Sequence, residues 1–212
     1  MHLSWLGLSS FKMETKDAVL VMDPYGPKVS SKPLRAKADI VTISQFGDPI
    51  HGHIDAIQGE PFVIDHAGEF ELKSIYIQGA EVPMKDAKKT STVFWFDVEG
   101  MRVAHLGNLE TIPSTEVMEK MDGLEVDILM VPVGGSGLEL KQVMKLVNDI
   151  EPRIVIPMHY AQDGVNVGTK LNPVSAFMKE MGASNVKPID RMLFKKKDLP
   201  GAEDTQVILF SA

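Results

Sequence analysis

Short apolar runs, each cut off by turn residues, recur along this chain and leave few folds open to it. Ala18-Val19-Leu20-Val21-Met22, Asp39-Ile40-Val41-Thr42-Ile43-Ser44, Val126-Asp127-Ile128-Leu129-Met130-Val131-Pro132 and Arg153-Ile154-Val155-Ile156-Pro157 have the length of strands and no helical period. Continuous apolar runs of this kind suit strands covered on both faces. Between them lie alternating segments suited to strands with one buried face: Leu3–Leu6, Ser10–Glu14, Phe62–Ile64, Glu69–Leu72 and Ser74–Ile77. Thr92–Val98 and Met101–His105 read as a hairpin turning at Glu99-Gly100.

The second half alternates strand with helix. Ser136-Gly137-Leu138-Glu139 has the form of a capping box, and behind it Leu140, Val143, Met144 and Val147 share one helical face. Asn172-Pro173 predicts another helix start, with Val174, Phe177, Met178 and Met181 as its buried stripe and Gly182 as its end. Gln206–Phe210 reads as a last strand. Strands first and strand–helix alternation afterwards predict an α/β chain of two packed sheets with helices outside. At 212 residues and 44% hydrophobic content this suits one domain over 1–212 with a full core.

Composition removes several kinds of function. With 22 Lys and Arg against 29 Asp and Glu the net charge is −7, which argues against a general nucleic-acid binder. The basic runs Lys195-Lys196-Lys197 and Lys85…Lys88-Lys89 are short and read as solvated. There is no cysteine, so disulfides, thiolate metal ligands and a Cys nucleophile are excluded. No signal peptide and no membrane-spanning run is visible, and a cytoplasmic location is the expectation. The 13 methionines read as core filling.

Polar residues gather at strand ends: Asp23, Gln45 to Asp55, His66, His105 to Asn108, and His159. His51-Gly52-His53-Ile54-Asp55 holds two imidazoles and a carboxylate, donors suited to a zinc-like ion, although a polar glycine-containing loop has the same composition. His105 and His159 each follow an apolar strand, where a hydrogen-bonded structural histidine is the simpler reading. His2 reads as an exposed terminal residue. Ser9, Ser10, Ser44 and Ser136 are nucleophile candidates by type only, and none lies in a Gly-x-Ser-x-Gly elbow. Gly134-Gly135-Ser136-Gly137 reads as a turn leading into a helix rather than an anion site.

In order along the chain, Trp5-Leu6-Gly7-Leu8-Ser9-Ser10-Phe11, Val21-Met22-Asp23-Pro24-Tyr25, Ala38–Ser44, Gly68-Glu69-Phe70-Glu71, Val103–Leu109, Val131–Gly135 and Ile156–Tyr160 resemble the metallo-β-lactamase superfamily. The resemblance is to its small stand-alone hydrolases near the L-ascorbate-6-phosphate lactonase branch, and it covers nearly the whole chain. It implies a four-layer αββα sandwich with a metal site at one edge of the two sheets. The family's pocket positions fall on Leu8, Asp23, Gln45, Gly47, Pro49, Ile50, His105, Asn108 and His159. An ungapped reading sets Gln45, Gly47, Pro49 and Ile50 against the family's His-x-His-x-Asp-His, Leu8 against a frequent histidine, and Asn108 against the bridging aspartate. Asp23, His105 and His159 match.

Three readings follow. In the first the dinuclear metal site is lost, no metal is expected, and the chain is a non-catalytic or altered-site relative, a pseudoenzyme that holds a small ligand or serves assembly. In the second it is a metal-dependent hydrolase of esters, lactones or phosphodiesters, with zinc or manganese on His51, His53, Asp55 and His159. That set lies six residues beyond the family position, up to about 20 Å of extended chain, so the loop must fold back. In the third it is a metal-free enzyme with a general base, for which Asp48 with His53 is the nearest pair. Family habit also allows a homo-oligomer. Loops 26–37, 79–90 and 160–171 are expected to set specificity.

Overall fold

In a computed structural model the residues described are 1–30, 33–86, 88–122, 125–135, 137–201 and 204–212. The first half builds β1 (His2–Gly7), β2 (Ser10–Glu14), β3 (Val19–Met22), β4 (Ala36–Lys37), β5 (Ile40–Thr42), β6 (Ile57–Gln58), β7 (Phe62–Ile64), β8 (Gly68–Leu72), β9 (Ile75–Pro83), β10 (Thr90–Val98) and β11 (Met101–His105). The second half adds α1 (Thr115–Asp122), β12 (Ile128–Pro132), α2 (Leu140–Ile150), β13 (Ile154–Met158), α3 (Ser175–Glu180), β14 (Arg191–Leu193) and β15 (Gln206–Val207).

Two sheets result. One has six strands in the order β14-β1-β2-β3-β5-β7, the other seven in the order β15-β13-β12-β11-β10-β9-β8. In β1 the side chains of Leu3 and Trp5 are buried while His2, Ser4 and Leu6 are half-exposed, as the period of two requires. β12 and β13 are buried along their whole length because sheet and helices cover both faces. Glu99 and Gly100, at φ 49° and 75°, form the tight turn of the β10–β11 hairpin. From β11 onward the strands run parallel through β12 and β13 to β15, so the chain must cross over between them. α1 lies in the first crossover, α2 in the second and α3 in the last.

One apolar core fills the space between the sheets, with Phe11, Met13 and Leu20 from one side and Phe94, Phe96 and Val103 from the other. A second cluster lies around Leu8, Val21, Tyr25, Val41, Ile43 and Leu171. It covers the outer face of the six-stranded sheet, where loops and a 3-10 turn at Ile54–Ala56 make up the outer layer.

Some local expectations are corrected. His2 is part of β1, paired with Glu14 and Leu193. Helix α2 begins at Leu140 with Glu139 as its N-cap, whose backbone N–H donates to the Gln142 side chain at 2.9 Å; Ser136 lies outside the described residues. Helix α3 begins at Ser175, so Asn172 is not its cap. The Asn172 N–H instead donates to the Gly134 carbonyl at 2.8 Å. Gly182, at φ 65°, does follow the end of α3.

Buried Asp127, just before β12, ties the far end of the seven-stranded sheet. Its carboxylate accepts from Lys196 Nζ at 2.7 and 2.8 Å and from the Arg102 N–H at 2.9 Å, with Arg153 Nε at 3.4 Å.

Candidate functional site

The opposite strand ends converge. Asp23 leaves β3 at φ 45° and is buried. Its carboxylate accepts from the Ser44 backbone N–H at 2.7 Å and from Ser44 Oγ at 2.6 Å, which locks the ends of β3 and β5 together. Behind β11 the chain passes so close that a Cβ on Gly107 would lie 2.6 Å from Ser44 Cβ and Oγ. Leu8, Asp23 and His159 are non-glycine residues held in the left-handed region, at φ 51°, 45° and 52°. Backbone strain of this kind persists only where the surroundings enforce it, and it concentrates at functional sites.

The loop after Ser44 folds back on itself. The N–H groups of His51 and Gly52 both donate to the Asp48 carbonyl, at 3.2 and 2.8 Å. Asp48 Oδ1 accepts from the Ile50 N–H at 2.9 Å, and His51 Nδ1 donates to Asp48 Oδ2 at 2.8 Å. Two further bonds, Gly26 N–H to the Pro49 carbonyl and His53 N–H to the Pro24 carbonyl, fasten this loop to the turn after Asp23. His51 is thereby returned to the strand ends, where its ring stacks on that of His159 with centroids 5.3 Å apart and planes at 22°. Both histidines are only 1% exposed.

Burial, with His51 adding to it, pushes His159 down to about 3. The ring is therefore neutral near pH 7, the form that ligates metals. Burial raises the Asp48 carboxyl, but the bonds from His51 and Ile50 outweigh it and hold the group below the usual carboxylate range. An ionised Asp48 accepts, so His51 donates through Nδ1, and Nε2 is the ring nitrogen left over. That buried Nε2 meets no hydrogen-bond partner among the described residues.

Other expected site residues are placed differently. His53 and Asp55 do not join His159; with Tyr25, Leu34 and Arg35 they line a separate small cavity of about 170 Å³. Their direction follows from the 3-10 turn at Ile54–Ala56. Asp48 pairs with His51, not with His53. Leu8 is buried in the second apolar cluster and has no donor side chain. Its carbonyl accepts from the His159 N–H at 3.0 Å and from Trp5 Nε1 at 2.8 Å, so it positions the site through the backbone. Gln45 Nε2 donates to the Asn108 carbonyl at 3.1 Å. Gly47 is exposed at φ 77°, and Pro49 and Ile50 bring no side-chain donor. His105 donates through Nε2 to the Ser9 carbonyl at 2.7 Å and packs edge-on against Phe11, a structural role. His66 is exposed beside Asp65 and Phe70.

The glycine turn before α2 is also structural. A Cβ on Gly134 would lie 2.1 Å from the His159 carbonyl oxygen, and one on Gly137 would lie 2.1 Å from that of Leu109. Among the described residues no three of His, Cys, Asp and Glu are grouped to hold a metal ion. The arrangement therefore does not fit the family's two-ion centre. What it leaves are two buried, stacked imidazoles, one of them with a carboxylate behind it.

Asp48, Gln45, Phe46, Gly47 and Pro49 form one wall of a cavity of about 500 Å³, faced by Met84, Lys89 and Thr90. Phe46 also lines a neighbouring cavity of about 340 Å³.

The β-lactamase superfamily domain matches residues 2–159. The chain belongs to the metallo-β-lactamase superfamily. A UPF0173 protein of Pyrococcus abyssi is 28% identical over 77% of this chain and 85% of its own length. A protein of Methanosarcina barkeri named UPF0173 metal-dependent hydrolase is 24% identical over 76% and 84%. A crystal structure from Thermotoga maritima, assigned as a Zn-dependent hydrolase of this superfamily, is 26% identical, covers 99% of both chains and has a TM-score of 0.78. No helix among the described residues is long and apolar enough to cross a membrane.

His105 makes a prediction about pH. Burial is the main cause that holds its imidazole below the usual histidine range. Unfolded, the same ring takes up a proton below about pH 6.5. Folded, it stays neutral to a lower pH, so the unfolded state binds more protons and stability falls as pH drops. The loss begins near the unfolded value and continues down to the lowered folded one, at up to about 1.4 kcal/mol per pH unit. His159 adds a second such slope. Thermal melts between pH 7.5 and 5 are expected to show a falling midpoint for the parent protein and a shallower fall for His105→Asn.

Proposed function

We propose that this chain is a metal-dependent hydrolase reduced to one ion, held by His51 and His159. The observation that carries the reading is the buried His51 Nε2, partnerless among the described residues, on a ring whose other nitrogen is fixed by Asp48. A carboxylate behind a ligating imidazole fixes its tautomer and raises its basicity. The names of the relatives from M. barkeri and T. maritima support the same reading.

When bound, the ion supplies Lewis acidity and makes water a nucleophile near neutral pH. The chain's own contribution is orientation. Asp48 directs His51 Nε2, Leu8 and Gly134 hold the His159 backbone, and burial keeps His159 unprotonated. Gln45 and Asn108, at family positions, offer only neutral amide oxygens. Affinity for zinc or manganese is therefore lower than in a site with charged ligands. Esters, lactones and phosphodiesters are the substrate classes that suit such an ion.

One observation favours a second reading, a non-catalytic pocket for a small molecule. His51 and His159 are almost fully covered, and Leu8 fills one family ligand position with an apolar side chain. Turnover separates the two. 4-Nitrophenyl acetate, γ-butyrolactone and bis(4-nitrophenyl) phosphate are to be assayed with added zinc or manganese. Metal-stimulated hydrolysis of one of them, reduced about 100-fold or more in His51→Ala, is expected. No metal-stimulated turnover of any of the three would leave the second reading.

A further inference from the structure

The 500 Å³ cavity beside Asp48 has the size of a small-molecule site. Its wall carries Phe46, which is 76% exposed. So large an apolar surface left in water gains from being covered. Met84, half-buried, faces it from the end of the β9–β10 hairpin and extends the apolar wall.

The charges of the cavity are unequal in what they have left to give. Asp48 is engaged at both oxygens, by the Ile50 N–H and by His51. Lys89 lines the cavity, is exposed, and makes no side-chain hydrogen bond or ion pair among the described residues, in a chain of net charge −7. Lys85, on the same hairpin, is already bonded to the Gly137 carbonyl at 2.9 Å. The cavity is thus lined by one uncommitted cation and one uncovered aromatic ring.

We propose that this cavity is a specificity site for small anions that carry an apolar group. The apolar group lies against Phe46 and Met84, and the carboxylate or phosphate meets Lys89. This deepens the hydrolase reading, on which it rests for the claim that such anions are substrates. Binding itself requires neither metal nor turnover, so it is measured separately.

The test is calorimetric titration of the chelator-treated protein with phenyl phosphate, inorganic phosphate and benzyl alcohol. Phenyl phosphate is expected to bind at least about 10-fold more tightly than either of the others. Lys89→Glu is expected to bring phenyl phosphate down to the level of benzyl alcohol and to leave benzyl alcohol unchanged. Phe46→Ala is expected to bring it down to the level of inorganic phosphate. Both side chains are exposed, so both variants should keep the parent melting temperature, and that is to be confirmed first. The Lys89-dependent part should weaken between 20 and 300 mM salt. Equal affinity for the three ligands, or phenyl phosphate binding unaffected by both substitutions, overturns the proposal. Phenyl phosphate binding as expected without metal-stimulated turnover would remove the hydrolase reading alone. Turnover without selective binding would remove the specificity site alone.

Discussion

Gly134→Ala is expected to lower stability by about 3 kcal/mol or more and to displace His159. The added methyl would lie 2.1 Å from the His159 carbonyl oxygen and 2.9 Å from Tyr160 Cα. Both are backbone atoms, so no side-chain rotation relieves the overlap. Overpacking a tight interior costs about 1–3 kcal/mol and at times more, and a contact this short belongs at the upper end. For a chain of this size about 3 kcal/mol lowers the melting midpoint by roughly 6–12 °C. Gly47→Ala is the control. Nothing lies within 4 Å of its would-be Cβ, and only its φ of 77° is unfavourable. Its cost is about 1–2 kcal/mol. Melts and urea titrations of the two variants should therefore separate crowding at the site from ordinary left-handed strain.

Asp127→Ala is expected to destabilise by about 3–5 kcal/mol, roughly 6–20 °C in melting midpoint. Asp127 is 1% exposed and accepts from Lys196 Nζ and the Arg102 N–H, with Arg153 close by. Removing the carboxylate takes away the acceptor of the Arg102 N–H and of Lys196 Nζ, whereas Arg153 keeps Glu125 at 3.7 Å and the Pro200 carbonyl at 3.3 Å. Lys196→Ala should cost less, because the buried carboxylate keeps the Arg102 N–H at 2.9 Å and Arg153 Nε at 3.4 Å. Comparable losses in the two variants would contradict the asymmetry.

The strands were legible wherever burial forces an apolar run. Val126–Pro132 contains β12 and Arg153–Pro157 covers all of β13 but Met158, because parallel strands covered on both faces have nowhere to put polar groups. Helix α1 was not legible. Among the residues of this helix whose burial is described only Val117 and Met121 are buried, a stripe too short to show a period. β14 was missed as well, since Arg191–Leu193 is an edge strand whose side chains stay largely in solvent.

At the site, the sequence names residues at the strand ends but does not show their partnerships. Counting residues forward from Ser44 put Pro49 and Ile50 at ligand positions and left Asp48 outside the metal set. The loop instead turns on Asp48, whose carbonyl and carboxylate collect the following N–H groups and so bring His51 back to the strand ends. An aspartate three residues before a histidine, just after a glycine, was the available signal. His53 and Asp55 have suitable chemistry and sit two and four residues on. The backbone at His53, with φ −88° and ψ 86°, and the 3-10 turn behind it send them elsewhere. Reading donors by type could not separate them from His51, because the separation is made by backbone direction.

The central claim is a single ion between His51 and His159. It is tested most directly by metal stoichiometry after dialysis against trace zinc and manganese, followed by zinc titration of the stripped protein. The account predicts about one ion per chain, lost in His51→Ala and bound about 10–100-fold more weakly in Asp48→Asn. Two ions per chain, no ion at all, or one ion that His51→Ala leaves in place would contradict it.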